Sequence, residues 1–193
     1  MNFRLKAKQK RLFLQNTGNL LMLSSLLFLL YIYYPLLVIY IDPPKLTPTP
    51  KTGEYITIPK IQAQAPIVDN VDPWNERVYK EKLQKGVAQA KGSSKIGSTK
   101  GTIYLFAHSS DLPWRLTRYN TAFFKLGQVK INDKIILTKN GRKYTYVVTD
   151  KKVVWPTDVK YLKELSKTQL VLQTCTPVGT DLQRLLVFAK PQK

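Results

Sequence analysis

No disulfide can brace this chain, because Cys175 is the only cysteine among its 193 residues. Its core must hold by packing alone, which this length permits for one domain of ordinary size plus an accessory segment. Histidine is equally scarce: His108 stands alone. Acidic side chains are few, 12 against 31 lysines and arginines, giving a formal net charge of +19. Such an excess suits nucleic acid, an anionic membrane surface or another anionic polymer. The basic residues are spread along the chain, however, with no helix-turn-helix, zinc-finger or basic-zipper spacing, so nucleic acid is not an expected partner. No carboxylate cluster points to a metal, no cofactor is expected, and no internal repeat is present.

What the chain does have is one long apolar run. Residues 20–41 are interrupted only by Ser24, Ser25 and Pro35, and the tyrosines gather toward one end. That is the length of a helix crossing a hydrocarbon core. Residues 1–19 carry Arg4, Lys6, Lys8, Lys10 and Arg11 without an acidic residue, so the positive-inside rule keeps this end in the cytoplasm and sends the remainder outside. A cleaved signal peptide would have a shorter apolar core and a small-residue exit, whereas this run ends Val38, Ile39, Tyr40, Ile41. Residues 42–53 then bring Pro43, Pro44, Pro48 and Pro50 among threonines and lysines, a composition for an extended stalk rather than a core.

Residues 54–193 form the expected folded domain. Short β-type runs dominate it, at 55–58, 65–68, 102–107, 134–138, 144–149, 170–174 and 185–189. Asn140-Gly141 tolerates the positive φ of a tight hairpin turn between two of them. A helix is expected over 75–85 with Gly86 as its stop, and a shorter one capped by Thr157 or Asp158 and running to Leu165. Many short strands with few helices predict a mainly β fold, a closed or nearly closed barrel.

The lone cysteine and the lone histidine each follow directly on a strongly apolar run. Side chains at strand ends reach solvent while the sheet holds their backbone still, which a nucleophile and its proton partner require. A lone Cys is nonetheless usually a small buried hydrophobe, and a lone His a satisfied polar group. Arg184 adds weight to a catalytic reading. It opens the run 184–189 after the loop 176–183, which folds back beside the strand bearing Cys175 and puts a guanidinium near the thiol. A thiolate attacking a carbonyl creates an oxyanion, and a fixed donor there stabilises the transition state more than the ground state.

The stretch Leu170-Val171-Leu172-Gln173-Thr174-Cys175-Thr176-Pro177-Val178-Gly179, followed by Arg184 at the head of the next run, resembles the active-site signature of sortases. That signature reads Thr-Leu-x-Thr-Cys, often then x-Pro-x-Gly, with an arginine opening the next strand. Tyr55 to Ile61 is similar to the family's first strand, Gly101 to His108 to the strand delivering its histidine, and Val153 to Asp158 to the start of a substrate-side loop. The similarity spans about residues 53–190. Val171 replaces the usual threonine and Ala107 the common glycine, and neither is a reacting group. The loop from Ser109 to Asn120, with Asp111, Trp114, Arg115 and Arg118, matches no named class, so class and sorting motif stay open. Asp72-Pro73-Trp74 resembles the lid motif of pilus-building sortases. It follows the first strand instead of preceding it, and reads as a turn into the helix.

The resemblance implies a sortase-like closed barrel of about eight strands with short helices, preceded by one transmembrane helix. It implies a cysteine transpeptidase in which Cys175 attacks a carbonyl in a C-terminal sorting motif of a secreted protein. A thioacyl-enzyme then passes its acyl group to an amine from a wall precursor or a pilin lysine. His108 would be general acid and then base, and Arg184 would hold the oxyanion or the substrate backbone. Thr174 is expected near the substrate, and Val159, Tyr161 and Leu162 are candidate apolar contacts or packing for the short helix. The enzyme would sit in the plasma membrane with its domain outside the cell. Two rivals stand against this. L,D-transpeptidases also use Cys, His and Arg but place the arginine almost directly after the cysteine, where this chain has Thr176-Pro177. A non-catalytic barrel binding anionic wall polymers would leave His108 and Cys175 incidental.

Overall fold

The computed structural model describes residues 2–42, 46–48, 50–109 and 121–192. Pro43 and Pro44 of the expected stalk, and the loop residues 110–120 with Asp111, Trp114, Arg115 and Arg118, lie outside the described residues. The chain forms two compact units, Met1–Ile41 and Asp42–Lys193. The first is helix α1, Asn2–Ile41. At 1.5 Å rise per residue it is about 60 Å long, so the basic N-terminal residues continue the same helix as the apolar run. Its stretch Gln9–Tyr34 is long and apolar enough to cross a membrane, and none of that stretch is buried within the protein.

The second unit is a barrel. Among the described residues, eight strands close in the order β1, β2, β3, β4, β7, β8, β6, β5 and back to β1. They are β1 (Glu54–Ile58), β2 (Ala63–Val71), β3 (Val87–Ala90), β4 (Thr102–Phe106), β5 (Lys134–Lys139), β6 (Arg142–Val154), β7 (Gln169–Thr176) and β8 (Gln183–Pro191). Helix α2 (Glu76–Leu83) precedes β3, and the single turn α3 (Lys160–Lys163) precedes β7. Closure pairs the whole set of strand edges, which is how a small all-β domain avoids an exposed ladder. Its final seam, β1 on β5, runs from Glu54 opposite Lys139 to Thr57 opposite Ile136. At that seam Lys139 Nζ lies 2.8 Å from Glu54 Oε1, and this bond is what chiefly raises the Lys139 pKa.

The centre is built from runs apolar on both faces. Ile58, Leu105, Leu137, Leu170, Leu172 and Val187 have no exposed surface at all. β4 and β7 read as continuous apolar segments because they pair in parallel and are covered on both sides, the usual pattern for buried parallel strands. The β5–β6 hairpin turns at Asn140-Gly141 with φ of 47° and 80°, the left-handed pair that a tight turn requires.

The structure departs from expectation in several places. β3 was not anticipated, because Val87-Ala88-Gln89-Ala90 is too short and alanine-rich to signal a strand; only pairing with β2 and β4 makes it one. β6 extends past Thr149 to Val154 because β8 supplies a partner for that whole length. Helix α2 starts where expected, with Asn75 Oδ1 accepting from Val78 N–H. Neither Thr157 nor Asp158 caps α3. Asp158 instead accepts the Trp155 N–H at 3.2 Å, and the helix is confined to 160–163. Asp72-Pro73-Trp74 is a turn into α2, closed by Trp74 N–H donating to Asp72 Oδ1 at 2.9 Å. Within 42–53, Thr47 is bound to β2. Its N–H and hydroxyl both donate to Gln64 Oε1, and Gln64 Nε2 donates to its carbonyl at 2.8 Å.

Gly86 joins α2 to β3 against the backbone of β2, where an added Cβ would meet the Pro66 carbonyl oxygen at 2.2 Å. Gly86→Ala should therefore cost about 1–3 kcal/mol through overpacking, seen as a lower urea midpoint. An unchanged midpoint would mean that β2 can move aside at no cost.

Candidate active site

Three strand ends meet at one rim of the barrel. In the antiparallel β7–β8 pair, Cys175 lies directly opposite Arg184. In the parallel β4–β7 pair, Phe106 lies level with Gln173. Ala107 N–H then donates to the Gln173 carbonyl at 3.1 Å, so the pairing continues past the formal end of β4. His108 follows one residue further on, just past the last bond of this ladder. Cys175 and Arg184 thus face each other across the β7–β8 pair, His108 follows the end of β4 on the other side of β7, and all three are half-buried.

Each has an identifiable support. Arg184 Nη1 donates to the Asp181 carbonyl at 2.7 Å and the Gln183 carbonyl at 3.1 Å, which folds the guanidinium back on the β7–β8 loop. One nitrogen is thus tethered while the planar fork retains further donors. Burial pushes the Cys175 thiol above its ordinary pKa of 9.0; the Arg184 charge pulls it down and Asp181 pushes it up. Burial is the largest of these influences, and it disfavours the charged thiolate.

Strand alternation sorts the surrounding residues. Gln173 and Cys175 share one face of β7 with Arg184 and Leu186 of β8 and Phe106 of β4. Thr174 points the other way. It is buried, and its hydroxyl donates to the Ala107 carbonyl at 3.0 Å, tying β7 to the residue before His108. Tyr161 and Leu162 pack on the core, Tyr161 edge-on to Phe188 at 5.6 Å, while Val159 is half-buried at the head of α3. The flanking loops expose Trp155, Val178 and Leu182 to 61%, 51% and 61%, apolar surface close in sequence to both walls of the site.

Three residues escaped the sequence reading. Tyr79 of α2 stands edge-on to Phe106 at 6.0 Å, and its phenol feels the charges of Arg184 and Cys175. Tyr104 is fully buried on β4 and hydrogen-bonds Gln173. Two-residue spacing from Cys175 would have flagged Gln173. Nothing local flags the tyrosines, since only the β4–β7 register and the packing of α2 bring them here.

The closed eight-stranded barrel with its one cysteine matches a class of cysteine transpeptidases. The sortase domain model matches residues 56–192, and this chain belongs to the sortase family. It is 28% identical over 148 residues to sortase D of Bacillus subtilis strain 168, covering 73% of this chain and 66% of that protein. It is 26% identical over 132 residues to sortase A of Bacillus anthracis, covering 68% of this chain and 56% of that one. The chain thus spans somewhat less than two thirds of the length of these relatives. Among solved structures, the lid mutant of sortase A from Corynebacterium diphtheriae aligns with a TM-score of 0.60 at 29% identity, over 84% of this chain and 79% of that one. Sortase C-1 from Actinomyces oris aligns with a TM-score of 0.60 at 28% identity, over 72% and 71%.

The raised Cys175 pKa has a measurable sign. Alkylation by iodoacetamide should rise with pH to a midpoint above 9.0, and Arg184→Gln should move that midpoint higher by removing the lowering charge. The folded state holds this proton more tightly than the unfolded chain, so the associated stability is present below the unfolded thiol pKa and lost as pH rises through the folded one. A midpoint below 9.0 in the wild type would mean that another positive charge outweighs burial.

Proposed function

We propose that Cys175, His108 and Arg184 carry out a two-step acyl transfer on a C-terminal sorting motif of secreted proteins. The observation supporting this most directly is the register that sets Cys175 opposite Arg184 while the β4–β7 pairing leads His108 to the same rim. In the first step the Cys175 thiolate attacks a backbone carbonyl carbon. The carbonyl electrons move onto oxygen, where the free donors of Arg184 stabilise them. As the tetrahedral centre collapses, the carbon–nitrogen bond breaks and His108 protonates the departing amine. The thioester that remains is then attacked by an incoming amine, with His108 taking up its proton, and a new amide forms as the Cys175 sulfur is released. Water in place of the amine would hydrolyse the thioester.

The location follows the same reasoning. In this reading helix α1 is the membrane anchor, and the positive-inside rule applied to its basic, acid-free N-terminal sequence supports a cytoplasmic N-terminus with the barrel outside. There the barrel meets secreted substrates and an acceptor amine of wall-precursor or pilin origin. The exposed Trp155, Val178 and Leu182 offer the peptide apolar contact beside the thiol.

Cys175→Ala is expected to abolish peptide cleavage with an unchanged melting curve. Arg184→Lys should reduce kcat/KM by about 10²-fold or more, since a point charge lacks the fork that reaches both loop carbonyls and oxyanion. Intact mass after incubation with sorting-motif peptides should show an adduct on Cys175 that an added amine removes. Near-normal cleavage by either variant would overturn the role assigned to that residue. Absence of any adduct, from a folded protein whose thiol also resists alkylation, would favour a non-catalytic binder of anionic wall polymers.

A further inference from the structure

We propose that Gln173 is a specificity-determining residue, its carboxamide presenting an N–H donor to an acceptor-bearing side chain of the bound peptide near the scissile carbonyl. This rests on the acyl-transfer reading above. Gln173 lies two residues before Cys175 on the same face of β7, about 6.6 Å along the strand. An extended peptide with its scissile carbonyl at the thiol therefore places a neighbouring side chain over Gln173.

The setting makes this donor unusual. Its neighbours on the same face are Val171, Phe106 and Leu186, exposed to only 1%, 7% and 1%. Gln173 is half-buried among them, so its carboxamide, with the Tyr104 hydroxyl behind it, is a polar group set among apolar side chains. The orientation of that carboxamide is set by Tyr104, whose hydroxyl hydrogen-bonds Gln173 Oε1. Tyr104 is itself 1% exposed and strongly held in its neutral, donating form by burial. With Oε1 committed, Nε2 is the end left to face outward, and among the described residues it makes no hydrogen bond.

The strip is bounded on one side by α2 through the Tyr79–Phe106 contact and on the other by α3 through Tyr161–Phe188. A peptide lying between them excludes water from Nε2. An apolar side chain there leaves the donor desolvated and unpaired, whereas an Asn, Gln, Asp, Ser or Thr oxygen satisfies it. Discrimination of about 10-fold or more is expected from one such bond.

The test uses the full-length protein in detergent micelles and pentapeptides carrying Asn, Gln, Asp, Ser or Thr, the apolar Ala, Val or Leu, or the cationic Lys, at each position near the scissile bond. Acylation of Cys175 is read by intact mass, and kcat/KM is compared as polar-to-apolar ratios. The wild type should favour acceptor side chains at one position by about 10-fold or more. Gln173→Met should erase that ratio and leave preferences at other positions alone. Gln173→Glu, of the same size but accepting instead of donating, should shift the preference at that position toward lysine. Tyr104→Phe should weaken the ratio by freeing the carboxamide to turn. Equal loss on every peptide, with all ratios retained, would overturn the proposal and assign Gln173 to packing. If no peptide acylates the wild-type thiol, the acyl-transfer reading fails first and this inference falls with it. Acylation by the wild type with Gln173→Met unchanged in ranking would defeat the inference alone.

Discussion

Everything at the candidate site depends on β7 being paired along both edges. On one edge it runs parallel to β4, from Thr102 opposite Gln169 to Phe106 opposite Gln173. On the other it runs antiparallel to β8, from Leu170 opposite Ala189 to Thr176 opposite Gln183. A parallel neighbour brings the C-terminal ends of two strands to the same rim, and an antiparallel neighbour brings the start of a third. Cys175, the approach to His108, and Arg184 therefore meet without any of them needing a special loop conformation. A slip of one residue in either pairing would turn the side chain to the opposite face.

Several features guard that register. Leu170 and Leu172 are completely buried on one face of β7 and Val171 on the other, so a slip would put Val171 and the polar Gln173 where the two leucines pack. The Thr174 hydroxyl bonded to the Ala107 carbonyl adds a pin at the rim itself, just where the ladder of β4 ends. On the opposite face, the Tyr104–Gln173 bond crosses the same pair one layer away. The result is a stiff support under a thiol whose pKa is raised chiefly by burial. Packing at this rim thus governs both where the sulfur stands and how readily it ionises.

Periodicity made most strands legible. Runs such as Ile135 to Leu137 and Leu170 to Leu172 are apolar enough, and bounded sharply enough, to be strands in any context. The Asn140-Gly141 turn is equally local, because positive φ is a property of the residues that adopt it. β3 was invisible for the opposite reason. Its four residues have no strand signal of their own and are held by neighbours at both edges. The extra length of β6 and the short α3 were likewise decided by β8 and by the Asp158 carboxylate turning back to Trp155.

Residue identity and order determined the family, the apolar N-terminal helix and the three residues proposed for chemistry. A cysteine after an apolar run, a turn-rich loop and an arginine at the next run form a pattern local in sequence, and local patterns can be read without coordinates. Only tertiary structure decided what surrounds them. Tyr79, Tyr104 and Gln173 come from a helix and two strands that meet only when the barrel closes, and Thr174 faces the core rather than the peptide side. Such contacts arise from strand register and helix packing between distant segments, and no single stretch of the chain encodes them.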